Sequence, residues 1–117
     1  MSNMRVLYYV DCRGNNPVKE FIDSLSVAQQ RKVLRAIQPV IEFGIGSHLR
    51  NTKKLVGTPL WEIRVLGKDN IRMFYAIEIK GIVLILNGFI KKSQKTPNKE
   101  IQLAMNRLED AKLRLTS

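Results

Sequence analysis

The sequence predicts an α+β fold: two N-terminal helices and one C-terminal helix packed against a mainly antiparallel sheet. Three observations carry that expectation. Residues 60–66 and 71–80 alternate apolar and polar side chains, the signature of strands with two unlike faces. Ile82–Ile90 is an apolar run of strand length, interrupted only by Asn87 and Gly88, and reads as a central strand buried on both faces. The segments on either side of this strand block carry helical spacing instead. With 117 residues and 44% hydrophobic content, the chain is expected to form one compact domain over residues 1–117.

Arg5 to Asp11 is rich in β-branched and aromatic residues and is expected to be the first strand. A turn at residues 13–16 follows. Asn16-Pro17 then starts a short helix whose apolar face is Val18, Phe21, Ile22 and Leu25. Ser26 caps the next helix with Gln29 as its capping-box partner, and Val33, Leu34, Ile37, Val40 and Ile41 form its buried face. Pro39 inside that pattern predicts a kink, or a break near Gln38. Gly44 or Gly46 closes the helix.

Residues 44–59 read as a loop that carries Arg50, Lys53 and Lys54 and no acid. In the next strand Trp61, Ile63 and Val65 share one side, and Glu62 and Arg64 the other. A turn at 67–70 leads to a strand with Ile71, Met73, Tyr75, Ile77 and Ile79 on one face and Arg72, Phe74 and Glu78 on the other. Gly81 turns the chain into the apolar run. Thr96 and Pro97 then supply an N-cap and a first helical position. The last helix, to about Leu115, buries Ile101, Ala104, Met105, Leu108, Ala111 and Leu115.

The net charge is +10, from 20 Lys and Arg against 10 Asp and Glu. Such an excess points to an anionic partner: nucleic acid, an acidic protein or an anionic surface. No apolar stretch reaches the ~20 residues of a membrane span. The N-terminus lacks the pattern of a secretory signal. Cys12 is the only cysteine and His48 the only histidine, so an internal disulfide and a Cys/His metal set are both excluded. These features give a cytoplasmic protein without a metal or other cofactor as the expectation.

Three basic groups share a region. Lys53 and Lys54 precede the middle strands, Arg64 and Arg72 flank the 67–70 turn, and Lys91, Lys92 and Lys95 end the central strand. In an antiparallel sheet these make a basic cleft suited to a phosphate backbone. Lys68, Lys80, Lys99, Lys112 and Arg114 read as solvated surface. Arg64 and Arg72 stand apart because both sit within strands, where Glu62 or Glu78 would be the structural alternative as ion-pair partners.

Conventional catalytic sets are absent. One histidine cannot form a two-histidine nuclease pair, Ser93 and Thr96 lack a His–Asp relay, and the acids are scattered. Metal-free RNA cleavage remains open, because the RNA 2′-OH is its own nucleophile. Such a reaction needs the backbone oriented, developing charge neutralised and protons moved. Arg and Lys side chains can meet these needs. Tyr75 is expected in the core by its strand face.

Leu60-Trp61-Glu62-Ile63-Arg64, Arg72-Met73-Phe74-Tyr75-Ala76, and Asn87 to Pro97 followed by a helix with Ala104 and Arg107-Leu108 together resemble a known family. It is the RelE/ParE superfamily of toxins from type II toxin–antitoxin systems, in the phage-derived Gp49-like or HigB-like branch. Asn87-Gly88-Phe89-Ile90-Lys91-Lys92 is the most specific block. The resemblance covers nearly the whole chain and implies a RelE-like fold with a curved antiparallel sheet. It also implies a metal-independent mRNA endoribonuclease that inhibits translation in the ribosomal 30S A site. A cognate helix-turn-helix antitoxin is implied too, with operator DNA bound only through that partner.

By the same resemblance Arg64 and Arg72 serve phosphate and transition-state charge, and Lys54 and Lys92 serve substrate binding or proton transfer. Lys53, Lys91 and Lys95 complete the expected RNA-binding set. Three departures from the family bear on proton transfer. Glu62 stands where some relatives have lysine, Asn87 where histidine is common before Gly-Phe, and the last helix has no tyrosine. Two alternatives keep other targets open: a ParE-like inhibitor of DNA gyrase, or a non-catalytic nucleic-acid-binding module.

Overall fold

The structure is a computed structural model that describes residues 5–44, 50–79 and 82–115. Its elements are β1 (Arg5–Tyr8), α1 (Pro17–Asp23), α2 (Val27–Phe43), β2 (Thr52–Lys54), β3 (Trp61–Arg64), β4 (Ile71–Ile79), β5 (Ile82–Ile90) and α3 (Asn98–Leu115). The five strands form one sheet in the order β1-β5-β4-β3-β2. Strands β2 to β5 are antiparallel neighbours, and β1 joins β5 in parallel on its other side. The architecture is the α+β one expected, with a single parallel pairing added. The expectations at Gly46, His48, Lys80 and Gly81, and those for the side chains of Ile77, Glu78, Ile79 and Leu115, lie outside the described residues.

Helices cover both faces of the sheet. On one side Val18, Val33, Ile37 and Val40 of α1 and α2 meet Ile63, Met73, Tyr75, Val83 and Ile85. On the other, Ala104, Leu108 and Ala111 of α3 meet Phe74, Leu84, Leu86 and Phe89. The strand alternation therefore sorts side chains between two apolar layers, and β5, with a neighbour on each edge and a layer on each face, is buried almost throughout.

The first helices start where their caps place them. Lys19 N–H donates to Asn16 Oδ1 at 3.0 Å, with Pro17 opening α1. Gln29 N–H donates to Ser26 Oγ at 3.1 Å, and Ser26 N–H returns a bond to Gln29 Oε1 at 2.9 Å. Gly44, at φ 80°, ends α2.

Several boundaries differ from expectation. The α2 helix runs unbroken through Pro39, because Ile37 and Val40 on either side of it are anchored in the core. Leu34 is 58% exposed rather than buried. Residues 52–54 form a strand, not loop. β1 stops at Tyr8, and Asp11 instead braces the following turn by accepting from the Arg13 and Asn15 N–H groups, both at 2.9 Å. The last helix begins at Asn98, with the Pro97 carbonyl accepting from Glu100 and Ile101 N–H.

Two local features hold β5 and α3 in place. Between Phe74 and Tyr75 the register against β5 slips past Leu86. Such a bulge sends consecutive residues to one face. Leu86 enters the core under α3, and Asn87 Nδ2 donates to Glu100 Oε1 at 3.0 Å. Arg107 Nη1 caps the bulge by donating to the Leu86 carbonyl at 2.8 Å. Next along, Gly88 admits the Phe21 ring from α1: a Cβ there would stand 2.6 Å from Phe21 Cδ2.

At the far end of α3, the Tyr9 hydroxyl donates to Asp110 Oδ2 at 2.6 Å, and Arg114 Nη2 donates to the same oxygen at 2.8 Å. Arg114 also donates to the Val10 carbonyl. The Tyr9 and Arg114 hydrogen bonds hold the Asp110 carboxyl below the ordinary carboxylate value. A depressed folded-state pKa contributes stability that is present above the unfolded value and is lost as pH falls through the folded one. The denaturation midpoint of the wild type is therefore expected to fall more steeply than that of Asp110→Asn between about pH 5 and pH 3. Parallel curves for the two proteins in urea titrations would contradict this.

Candidate nucleic-acid interface

One end of the sheet gathers the end of β3, the start of β4 and the end of β5. The pairing register sets Arg64 directly opposite Arg72, and Arg72 opposite Phe89. Like charges facing each other across strands are destabilising, so this pair works against the fold unless something anionic lies between. Arg64 is exposed, whereas Arg72 is only 9% exposed. The expectation of one open cleft face is thus met by Arg64 alone, because α3 and the 91–97 segment that leads into it accompany the face on which Arg72 lies.

Arg72 is left with unspent donors. Its Nε is buried with no hydrogen-bond partner, and its Nη1 reaches the Ile71 carbonyl at a long 3.5 Å. No carboxylate among the described residues lies within ion-pair distance of it. A buried cation without a counter-charge is costly, and an anion that arrives with ligand would relieve that cost. Beside it Lys91, Lys92, Asn70, Ser93 and Gln94 complete an open depression of about 660 Å³. Lys91 N–H donates to the Asn70 carbonyl at 2.8 Å, which ties the end of β5 to the 67–70 turn. Ser93 Oγ donates to the Lys95 carbonyl at 3.0 Å and shapes the turn beyond. Lys95 itself is exposed and does not line the depression.

The remaining predicted cations are placed elsewhere. Lys53 lies opposite Glu62, its Nζ 4.0 Å from Oε1. Lys54 lies opposite Trp61 on the other face, with Nζ 5.8 Å above the indole ring. The structure therefore brings Arg72, Lys91 and Lys92 together and links Arg64 to them through register, while Lys53, Lys54 and Lys95 do not line the depression.

Tyr75 is fully buried, stacked on Trp61 at a centroid distance of 6.5 Å. Burial pushes its hydroxyl up to about 12, with the Thr52 side chain opposing more weakly. That value suits a core residue and not a proton donor working near neutrality. Two polar groups were not legible as buried. Glu62 Oε2 and Asn87 Oδ1 are both buried without a hydrogen-bond partner, on the same face as Arg72. The signal available for Asn87 was its position as a polar residue inside an otherwise apolar run. Among the described residues, no three His, Cys, Asp or Glu side chains gather closely enough to hold a metal ion. No helix among them is long and apolar enough to cross a membrane.

The site so described offers guanidinium donors in low-dielectric surroundings with mobile ammonium groups at the rim, an arrangement able to grip a phosphate and to bear added negative charge on it. Residues 20–109 match the family model described as phage derived protein Gp49-like. The chain is also similar to a solved structure, that of an archaeal RelE-RelB complex from Pyrococcus horikoshii OT3. Identity is 21% and the TM-score 0.57, over 75% of this chain and 94% of that one. At that identity the likeness is one of fold. No curated protein matches the chain.

Proposed function

The chain belongs to the phage-derived Gp49-like family, a RelE-type toxin family, and from that premise we propose that it is an endoribonuclease that cuts mRNA on the ribosome. The observation that carries this reading is the buried Arg72 guanidinium, unpaired by any described carboxylate and bordered by Lys91 and Lys92.

The reaction needs no group beyond RNA and side chains. The 2′-oxygen bonds to the adjacent phosphorus, and the 5′-oxygen of the next nucleotide leaves. The product strands carry a 2′,3′-cyclic phosphate and a 5′-hydroxyl. One proton leaves the 2′-OH and one is delivered to the departing oxygen. Arg72 bears the charge that builds on the non-bridging oxygens, with Arg64 as its second cation. Lys92, at the open rim, is assigned to proton transfer, and Lys91 to holding the backbone. Lys53, Lys54 and Lys95 are assigned to longer-range attraction of the strand.

The same reading assigns one toxin domain to residues 1–117, a cytoplasmic site of action in the 30S A site, and a cognate antitoxin of the helix-turn-helix class that carries any contact with operator DNA. Of these, the antitoxin partner alone has a structural precedent, in a neighbour solved as a RelE-RelB complex.

Induced expression is expected to arrest growth and to create new transcript 5′ ends at codon-linked positions, and co-expression of the antitoxin to restore both. Mapping of transcript 5′ ends after induction is the test. Intact transcripts accompanied by DNA damage would overturn the nuclease reading in favour of gyrase as target.

A further inference from the structure

A second basic feature lies on the α2 side of the same sheet end. A groove of about 620 Å³ opens between α2 and the end of β3, within the range of sites that bury a small ligand. Lys32, Arg35, Arg50 and Arg64 line it, and no carboxylate does. The rest of its lining is largely apolar, chiefly Pro39, Phe43 and Leu66. Phe43 and Leu66 are each 62% exposed. A lone exposed apolar side chain means little. Here two of them share a concave surface with four cations.

Lys32 lies over the turn at 67–70. Its Nζ lies 4.0 Å from Asp69 Oδ2, and a Cβ on Gly67, which sits at φ 128°, would stand 2.9 Å from that Nζ. The glycine thus leaves the ammonium its place over the turn. Arg64 belongs to this groove and is also the register partner of Arg72. The groove and the Arg72 depression therefore adjoin at this one residue of the β3–β4 pair.

The geometry points to a nucleotide subsite: the groove receives a base of single-stranded RNA against Phe43, Leu66 and Pro39, while Lys32, Arg35 and Arg50 hold the phosphates that flank it. The inference rests on the mRNA reading and extends it by one nucleotide position beyond the phosphate at Arg72. Single-strand binding elsewhere combines the same two ingredients, a cationic track and a flat apolar surface on which a base stacks. Continuity with Arg72 through Arg64 favours a strand crossing both sites over an isolated anion.

The test is fluorescence anisotropy of a labelled 12-nucleotide RNA of mixed sequence, titrated with the full-length chain over a range of salt. Phe43→Ala is expected to weaken binding about tenfold with an unchanged salt slope, the effect of one lost stacking contact. Arg35→Gln is expected to weaken binding and to flatten the slope of log K against log salt by about 0.7, the effect of one lost phosphate contact. Both residues lie on the outer side of α2, and circular dichroism checks that the variants fold. Ultraviolet crosslinking should label the peptide that contains Phe43.

If both variants bind RNA as the wild type does, while Arg72→Lys binds less, the subsite is wrong and the Arg72 site stands. If both leave RNA binding intact but weaken binding of a polyglutamate peptide, the groove takes an acidic protein and the proposal fails. A wild-type chain that binds no RNA also sinks the subsite, whereas ribosome-dependent cleavage is judged separately by transcript ends.

Discussion

Arg72→Met is expected to abolish transcript cleavage, lowering its rate by about 10²–10³ or more, while leaving the melting temperature unchanged or raised. The first half follows from the proposed role of the guanidinium in bearing charge that develops only in the transition state. The second half follows from its surroundings. Arg72 is buried, its Nε has no partner, and it faces Arg64 across the strand pair. Replacing it with an apolar side chain of similar length removes a desolvated charge and a like-charge contact, and neither loss costs stability. Arg72→Lys keeps the charge but not the planar fork, and is expected to retain only a small part of the activity. Cleavage assays on programmed ribosomes, run beside thermal melts, separate the two effects. A large drop in melting temperature for Arg72→Met would mean that Arg72 serves the fold, and would remove the main support for the site.

Gly88→Ala carries the largest expected effect on stability, about 1–3 kcal/mol. The added Cβ would stand 2.6 Å and 2.8 Å from Phe21 Cδ2 and Cε2, and 3.4 Å from Met73 Cγ. The Phe21 ring is half-buried against the core that holds Val18, Leu25 and Met73, and it must shift off that surface to admit the methyl group. The melting temperature is expected to fall by several degrees. A double-mutant cycle identifies the cause: Gly88→Ala should cost clearly less in a Phe21→Ala background. An equal cost in both backgrounds would place the penalty in the β5 backbone instead of the ring contact. This also gives a physical account of the block 87–89. Asn87 ties β5 to α3 through Glu100, Gly88 admits α1, and Phe89 meets Phe74 edge-on at 5.0 Å.

The helices and the long strands were legible because burial and period agree there. Val18, Val33, Ile37, Val40, Ala104, Leu108 and Ala111 all sit where their spacing predicts. Caps at Asn16 and Ser26 were legible because side chain and backbone satisfy each other within one turn. β2 was not, because Thr52-Lys53-Lys54 has no apolar residue and is a strand only through pairing with β3. Leu34 has core spacing yet is exposed, because helical period alone does not say how wide a stripe of α2 the sheet covers. The site divided in the same way. Arg64, Arg72, Lys91 and Lys92 were legible because cations within or directly after strands are conspicuous. The burial of Arg72 was not, since it depends on how α3 and the 91–97 segment return across the sheet. Lys32 and Arg35 read as ordinary helix surface, because only the tertiary fold sets them beside Arg64.

The parallel pairing of β1 with β5 bears on how the chain is made. Residues 5–8 find their partners at residues 82–85, with both helices and most of the sheet emerging in between. Contacts so distant in sequence form late, because a long loop must close before they return any stabilisation. During synthesis β2, β3 and β4 can zip up locally, while the first strand waits for the fifth and the Tyr9–Asp110–Arg114 clamp waits longer still. The last part of the sheet therefore closes only near the end of translation, and a nascent chain stalled before β5 holds Arg72 without the lysines that border it in the finished protein.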